Sequence, residues 1–257
     1  MLKGKTIIVT GAASGIGAAT AAMAQANGAN VITVDINAPA KPVGRFIQAD
    51  LSDKGSIDRL IAELPNGIHG LANIAGLPPT KPAPAVLKVN LVGLKYLTQG
   101  VIDKLADGAS IVNLASLAGL GWPDAKEAIA ASANLEFDDV DAFCKGHGIE
   151  GARSYFFSKE ALIVWTMQNR WTWRARGIRM NTVSPGPVDT PILKDFIETL
   201  GARAEEDMRT MDRPGTPADI APVVNFLLSD GSVWIRGTNL PVDGGMFSNV
   251  QCQMHGL

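Results

Sequence analysis

The stretch Thr6-Ile7-Ile8-Val9-Thr10-Gly11-Ala12-Ala13-Ser14-Gly15-Ile16-Gly17 decides how the rest of the chain is read. Five residues suited to a buried strand, Thr6–Thr10, run into a glycine-spaced turn, which runs into an Ala-rich helical segment ending near Asn27. A strand, a Gly-rich turn and a helix in that order set free helix N–H groups beside a backbone that a phosphate can approach closely. The spacing of Gly11, Gly15 and Gly17 is G-x-x-x-G-x-G, not the G-x-G-x-x-G of most dinucleotide folds. Taken alone, such a glycine cluster is a weak signal, and a tight turn that binds nothing would also account for it.

The next strand gives the turn a purpose. This second apolar run, Asn30–Asp35, ends on a carboxylate 18 residues after Gly17, where an acid can accept hydrogen bonds from both hydroxyls of an adenosine ribose. A 2′-phosphate there would be repelled by Asp35. The neighbours Ala12, Ala13, Ser14, Ile36 and Asn37 supply no cation to offset that repulsion, so NAD is preferred over NADP.

Further out, apolar runs alternate with helical patterns. Strands are expected at Arg45–Ala49, Gly70–Asn73, Ser110–Leu114, Arg179–Val183 and Thr238–Val242, making seven with the first two. Helices are expected at about Lys54–Leu64, Leu87–Leu105, Tyr155–Arg176 and Pro217–Leu228. Near-continuous apolar strands between helices predict an α/β chain: a single-domain, Rossmann-type, doubly wound parallel sheet with helices on both faces. Residues 121–153 break the rhythm, since a strand-to-helix connection is usually a few residues. They are read as an acidic insertion within the one domain, with one or two helices between Ala125 and Phe143.

Composition narrows the function classes. In 257 residues, Lys and Arg total 23 against 25 Asp and Glu, so no nucleic-acid surface and no attraction to anionic membranes is indicated. Hydrophobic residues make up 46%, enough for a sizeable core, but no run is long enough to span a membrane. The start of the chain has neither a hydrophobic signal region nor a cleavage site, and a cytoplasmic location is expected. Cys144, Cys252 and the scattered His69, His147 and His255 have no metal-ligand spacing, so no metal is expected.

Tyr155 and Lys159 stand at i and i+4, on one helix face. Tyr-x-x-x-Lys by itself is a common surface pair. Together with Gly11, Gly15, Gly17, Asp35, Asn73-Ile74-Ala75-Gly76 and Ser116 just after a strand, in that order along the whole chain, the pattern resembles the short-chain dehydrogenase/reductase family. The chemistry suits the residues. A phenol is a poor base at neutral pH unless a cation steadies its phenolate, and Lys159 can supply that charge.

The resemblance implies roles for particular residues. Tyr155 would remove the alcohol proton as hydride passes to NAD, Lys159 would also hold the nicotinamide ribose, and Ser116 would hydrogen-bond the substrate oxygen. Asn90 matches the family asparagine that holds a water in the proton relay. Ser14 and Ile16 lie in the phosphate turn, and Asp50 and Leu51 match the pair beside the adenine. Asn73, Ala75 and Gly76 match the stretch on the adenosine side. Pro185, Gly186, Val188 and Thr190 match the loop over the nicotinamide amide. Residues 190–213 match the segment that closes over substrate.

Within the family, segments such as Gly93–Thr98, Glu160–Trp165 and Pro241–Gly245 resemble the coniferyl-alcohol dehydrogenase branch. The 3α-hydroxysteroid dehydrogenase/carbonyl reductase branch is a second resemblance. Both imply an apolar or aromatic alcohol or carbonyl as substrate. A different class, a dinucleotide-binding protein that has lost catalysis, would lack Tyr155, Lys159 or Ser116, and all three are present. A homo-oligomer, dimer or tetramer, is implied as well, although 39 positions separate Ser116 from Tyr155. The usual family connection is far shorter, which puts the common interface in question.

Overall fold

The computed structural model describes residues 2–201 and 211–257. Seven strands form one sheet: β1 (Thr6–Thr10), β2 (Asn30–Asp35), β3 (Arg45–Gln48), β4 (Ile68–Asn73), β5 (Leu105–Leu114), β6 (Arg179–Pro185) and β7 (Asn239–Val242). Their order is β3-β2-β1-β4-β5-β6-β7, and every neighbouring pair is parallel. The order reverses direction between β1 and β4. At such a switch point the connections leave on opposite faces and open a crevice beyond the carboxyl ends of the strands.

Both faces are buried, and β1 shows how. Successive side chains of a strand point to opposite faces. Ile7 and Val9 accordingly pack with Ala21 and Ala24 of α1 (Gly15–Ala26) and Val224 and Leu227 of α9 (Pro217–Leu228). Ile8, between them, joins the other cluster, with Ile57 and Leu60 of α2 (Lys54–Glu63), Leu97 of α4 (Leu94–Val101) and Phe157 of α7 (Ala152–Gln168). The continuous apolar run is thus the sequence signature of a doubly covered strand.

Several expected boundaries shift. The helix expected over Leu87–Leu105 is compound: α3 (Ala83–Leu87), a π-helical turn at Lys88–Gly93, then α4 and a 3₁₀ turn at Ile102–Lys104. The cause is local. A Cβ on Gly93 would lie 1.9 Å from the Leu51 carbonyl oxygen, so the backbone bears directly on its neighbour there. The helix expected to reach Arg176 stops at Gln168, where the Asn169 amide and backbone N–H both donate to the Trp165 carbonyl.

Residues 121–153 form two short helices, α5 (Lys126–Ala131) and α6 (Val140–Gly146), with 3₁₀ turns at Trp122–Ala125 and Phe137–Asp139. Ile129, Phe137, Val140 and Cys144 bury into the main core cluster. Of residues 190–213, the described part contains α8 (Pro191–Leu200), while 202–210 lie outside the described residues. A last helix, α10 (Met246–Met254), was not anticipated. Among the described residues no helix is long and apolar enough to cross a membrane, and no cluster of His, Cys, Asp and Glu could hold a metal.

Candidate active site

The crevice beyond β1, β2 and β4 is a cleft of about 400 Å³. Its floor is the glycine turn. Gly11 and Gly15 hold φ of 68° and 53°, in the left-handed region that favours glycine. A Cβ on Gly17 would sit 2.0 Å from the Gly11 carbonyl oxygen, so only glycine lets α1 start this close to the strand end. Ser14 is the N-cap of α1 but its side chain caps no backbone N–H, and the first turn carries no acid. The helix therefore presents its N–H groups and positive dipole end to the cleft, the requirement for a bound pyrophosphate.

Asp35 is held in one position. Its two carboxylate oxygens accept from the Ala13 and Asn37 backbone N–H groups, each at 2.9 Å, fixing the side chain at the rim of the cleft. A carboxylate keeps further lone pairs for a diol. Asp50, Leu51, Ala75, Gly76, Ile16 and Thr190 line the same cleft. Asp50 accepts from both Ser52 N–H and Ser52 hydroxyl, at 2.8 and 2.7 Å, which shapes the turn after Gln48. The donor set and the glycine cradle fit a dinucleotide.

Two expected residues are set back from the cleft. Asn73 is buried, and its amide donates to the Thr98 hydroxyl and the Asn113 carbonyl, both at 2.9 Å, so it braces the strand ends beneath Ile74–Gly76. Asn90 is fully buried in the π turn. Its Oδ1 accepts from Leu77 N–H at 2.7 Å, and its Nδ2 donates to the Leu77 carbonyl at 3.1 Å and to Ser158 Oγ at 3.3 Å. The side chain clamps the 74–77 segment against α7. Thr10 adds a clamp that sequence reasoning missed, its hydroxyl accepting from Ile74 and Ala75 N–H at 3.0 and 3.1 Å.

A second cavity of about 340 Å³ adjoins the first, with Ile74, Gly76, Leu77, Leu114, Thr190 and Ile192 lining both. Ser116, Tyr155 and Lys159 converge on it, together with Pro185, Gly186 and Val188. Tyr155 and Lys159 come from the first two turns of α7, and Ser116 from the end of β5. Ser116 Oγ accepts from Ala118 N–H at 3.2 Å, which sets its rotamer. Lys159 Nζ donates to the Leu114 carbonyl at 2.7 Å and lies 5.4 Å from the centroid of the Tyr155 ring.

Burial dominates the electrostatics of both groups. It pushes the Tyr155 phenol up to about 12, while a hydrogen bond with Ser116 acts downward. It brings the Lys159 ammonium down to about 8, which leaves the amine mostly charged at neutral pH. A phenol beside an ammonium and a hydroxyl can exchange a proton with an oxygen bound between Ser116 and Tyr155. Sequence reasoning placed Leu193 in the segment over the substrate but did not find the rest of the apolar lining, notably Phe156, Met246, Phe247 and Val250. The Gly244-Gly245 turn before an apolar pair was the available signal for the last three.

The chain is similar to known dehydrogenases and reductases along most of its length. The family model described as short chain dehydrogenase matches residues 5–132, and that described as Enoyl-(Acyl carrier protein) reductase matches 140–247. The chain is 42% identical over 250 residues to a coniferyl-alcohol dehydrogenase of a Pseudomonas species, covering 96% of this chain and 98% of that one. It is 30% identical to a 3-alpha-hydroxysteroid dehydrogenase/carbonyl reductase of Comamonas testosteroni, covering 93% and 95%. A crystal structure of the 3-alpha-hydroxysteroid dehydrogenase from Pseudomonas sp. B-0831 complexed with NADH superposes with a TM-score of 0.84. It is 28% identical, over 97% of this chain and 99% of that chain.

Proposed function

The chain belongs to the short-chain dehydrogenase family and is an oxidoreductase, and from that premise we propose that it oxidises an apolar or aromatic alcohol with NAD, coniferyl alcohol to its aldehyde being the leading case. One observation carries the reading: Ser116, Tyr155 and Lys159 meet where a dinucleotide cleft opens into a cavity with apolar walls. The 42% identity to a coniferyl-alcohol dehydrogenase supports the substrate class.

Bound NAD supplies the hydride acceptor. The chain supplies everything else. Gly11, Gly15, Gly17 and the N-terminus of α1 would seat the pyrophosphate, and Asp35 the adenosine ribose, which favours NAD over a cofactor with a 2′-phosphate. Ser116 would donate its hydroxyl proton to the substrate oxygen and hold it within reach of Tyr155. Tyr155 Oη would take the hydroxyl proton as the carbonyl forms. Lys159, charged and close to the ring, makes the phenolate less costly. The apolar walls would shield the reacting carbon once substrate fills the cavity. Run backward, the same groups protonate a carbonyl oxygen. A steroid alcohol is the alternative substrate, supported by the likeness to the two hydroxysteroid dehydrogenases.

The protein is further inferred to be a homo-oligomer, a reading supported by the exposed Trp234 and Val233 beside α9. Light scattering should give a dimer or tetramer mass. The test of function is a screen of purified protein with NAD or NADP against aryl, allylic and steroid alcohols. NADH should form with coniferyl or cinnamyl alcohol, and NADPH formation should be at least about tenfold slower, as one lost charge complementarity implies. No turnover across all three alcohol classes would contradict the reading.

A further inference from the structure

Helix α10 has no fully buried residue, although Met246, Phe247 and Val250 are apolar. At i, i+1 and i+4 they share one side of the helix, and all three line the substrate-side cavity. A short helix ordinarily draws its stability from packing an apolar face on the core. Here that face is turned to the cavity and remains part-exposed, so a bound apolar group would complete its burial.

The helix start is fixed to the reacting end of the site. The Asp243 carboxylate accepts from Gly245 N–H at 3.0 Å and Phe247 N–H at 2.7 Å. Gly244 and Gly245, at φ of 65° and 92°, make the turn that allows it. Gly186 N–H donates to the Val242 carbonyl at 3.2 Å, and a Cβ on Gly186 would lie 3.0 Å from Asp243 Cβ. Strand end, turn and helix therefore keep a set distance from the Pro185–Val188 segment. Lys159 is the only charged residue lining the cavity among the described residues, and it is already engaged with Leu114. A charged substrate body would meet no free opposite charge there.

We propose that Phe247 and Met246 are the specificity-determining residues of this cavity: they pack against the ring of an uncharged aromatic alcohol whose hydroxyl reaches Ser116 and Tyr155. An aromatic face and a thioether suit such a ring. This rests on the alcohol-dehydrogenase reading above, and the experiment separates the two.

Wild type, Phe247→Ala, Phe247→Leu and Met246→Ala are compared in two measurements. Calorimetry of the NADH-loaded proteins measures binding of cinnamyl alcohol. Steady-state kinetics with NAD measures kcat/KM for cinnamyl alcohol and for allyl alcohol, which lacks the ring. Phe247→Ala is expected to weaken cinnamyl alcohol binding and lower its kcat/KM by about tenfold, with allyl alcohol changed by less than about twofold. Phe247→Leu should recover part of the loss, and NADH affinity and melting temperature should stay at wild-type values. Equal losses on both alcohols, unchanged binding in both alanine variants, or no binding of cinnamyl alcohol to wild type would overturn the proposal. Phe247-dependent binding by a wild type that turns over neither alcohol would uphold the wall and sink the functional reading instead.

Discussion

Lys159 is 4% exposed, and its ammonium is held by one carbonyl, that of Leu114. Burial lowers it from 10.5 to about 8. The unfolded chain therefore binds more protons than the folded one between those values, and this residue's contribution to stability rises with pH through that window. Below about pH 8 it costs the fold roughly 3 kcal/mol, the free-energy equivalent of the shift. In urea unfolding, wild type should gain about 2 kcal/mol on Lys159→Met between about pH 7.5 and about pH 9.5. Tyr155, pushed up to about 12 by burial, stays protonated in the folded state of both proteins across this window. A pH-independent difference would show that the ammonium is better solvated than its burial implies. The cost makes sense only if the charge is used, and it stands next to a phenol whose ionisation needs it. Tyr155 and Lys159 could be read from their spacing, but their depth could not. Burial comes from Phe157, Ala161 and Leu162 on the same helix meeting the sheet, and a helix this apolar shows little one-sidedness in sequence.

At the scale of elements, the strands were legible and the irregular helices were not. Ile7, Ile8 and Val9 announce a doubly covered strand whatever surrounds them. The π turn at Lys88–Gly93 depends on a contact between Gly93 and Leu51, far apart in sequence, so local periodicity could not show it. Within that turn Asn90 points inward and clamps Leu77. Helix α10 escaped notice because Ser248, Asn249, Gln251 and Gln253 mask a three-residue apolar side. Residues 121–153 show a device that acidic composition concealed. Lys95 of α4 is buried, and its Nζ donates to the Ala133 and Ser132 carbonyls at 2.7 and 3.3 Å, capping the end of α5. Burial lowers its pKa, partly opposed by Glu136. Lys95→Met leaves both carbonyls without that donor and should cost about 1–3 kcal/mol in thermal unfolding. Limited proteolysis should then cut within 126–150 before the rest of the chain. A variant as stable and as resistant as wild type would show that the apolar contacts of Ile129 and Phe137 suffice to dock the segment.

Across the whole molecule, the order β3-β2-β1-β4-β5-β6-β7 explains why residues from distant segments share one site. Parallel strands deliver their carboxyl ends to one edge, and the reversal between β1 and β4 parts the connections so that a long ligand fits. Gly11, Asp35 and Ala75 line the half proposed to receive it, and Ser116 and Tyr155 stand at the other. The cofactor half was readable early because backbone approach and ribose recognition demand particular residues at particular places. Of the substrate half, Ser116, Tyr155 and the segment at 190–213 were readable, whereas the wall from α10 was not, since any apolar side chain can build a wall. The central claim is that Tyr155 moves the proton in an NAD-dependent alcohol oxidation. Its most direct test is NADH formation from cinnamyl alcohol by wild type and Tyr155→Phe at equal, saturating NAD, with NADH affinity measured on both. Wild type should turn over, and the variant should lose about 10²–10⁴-fold in kcat with its NADH affinity unchanged. A Tyr155→Phe protein that still forms NADH at the wild-type rate would contradict the account.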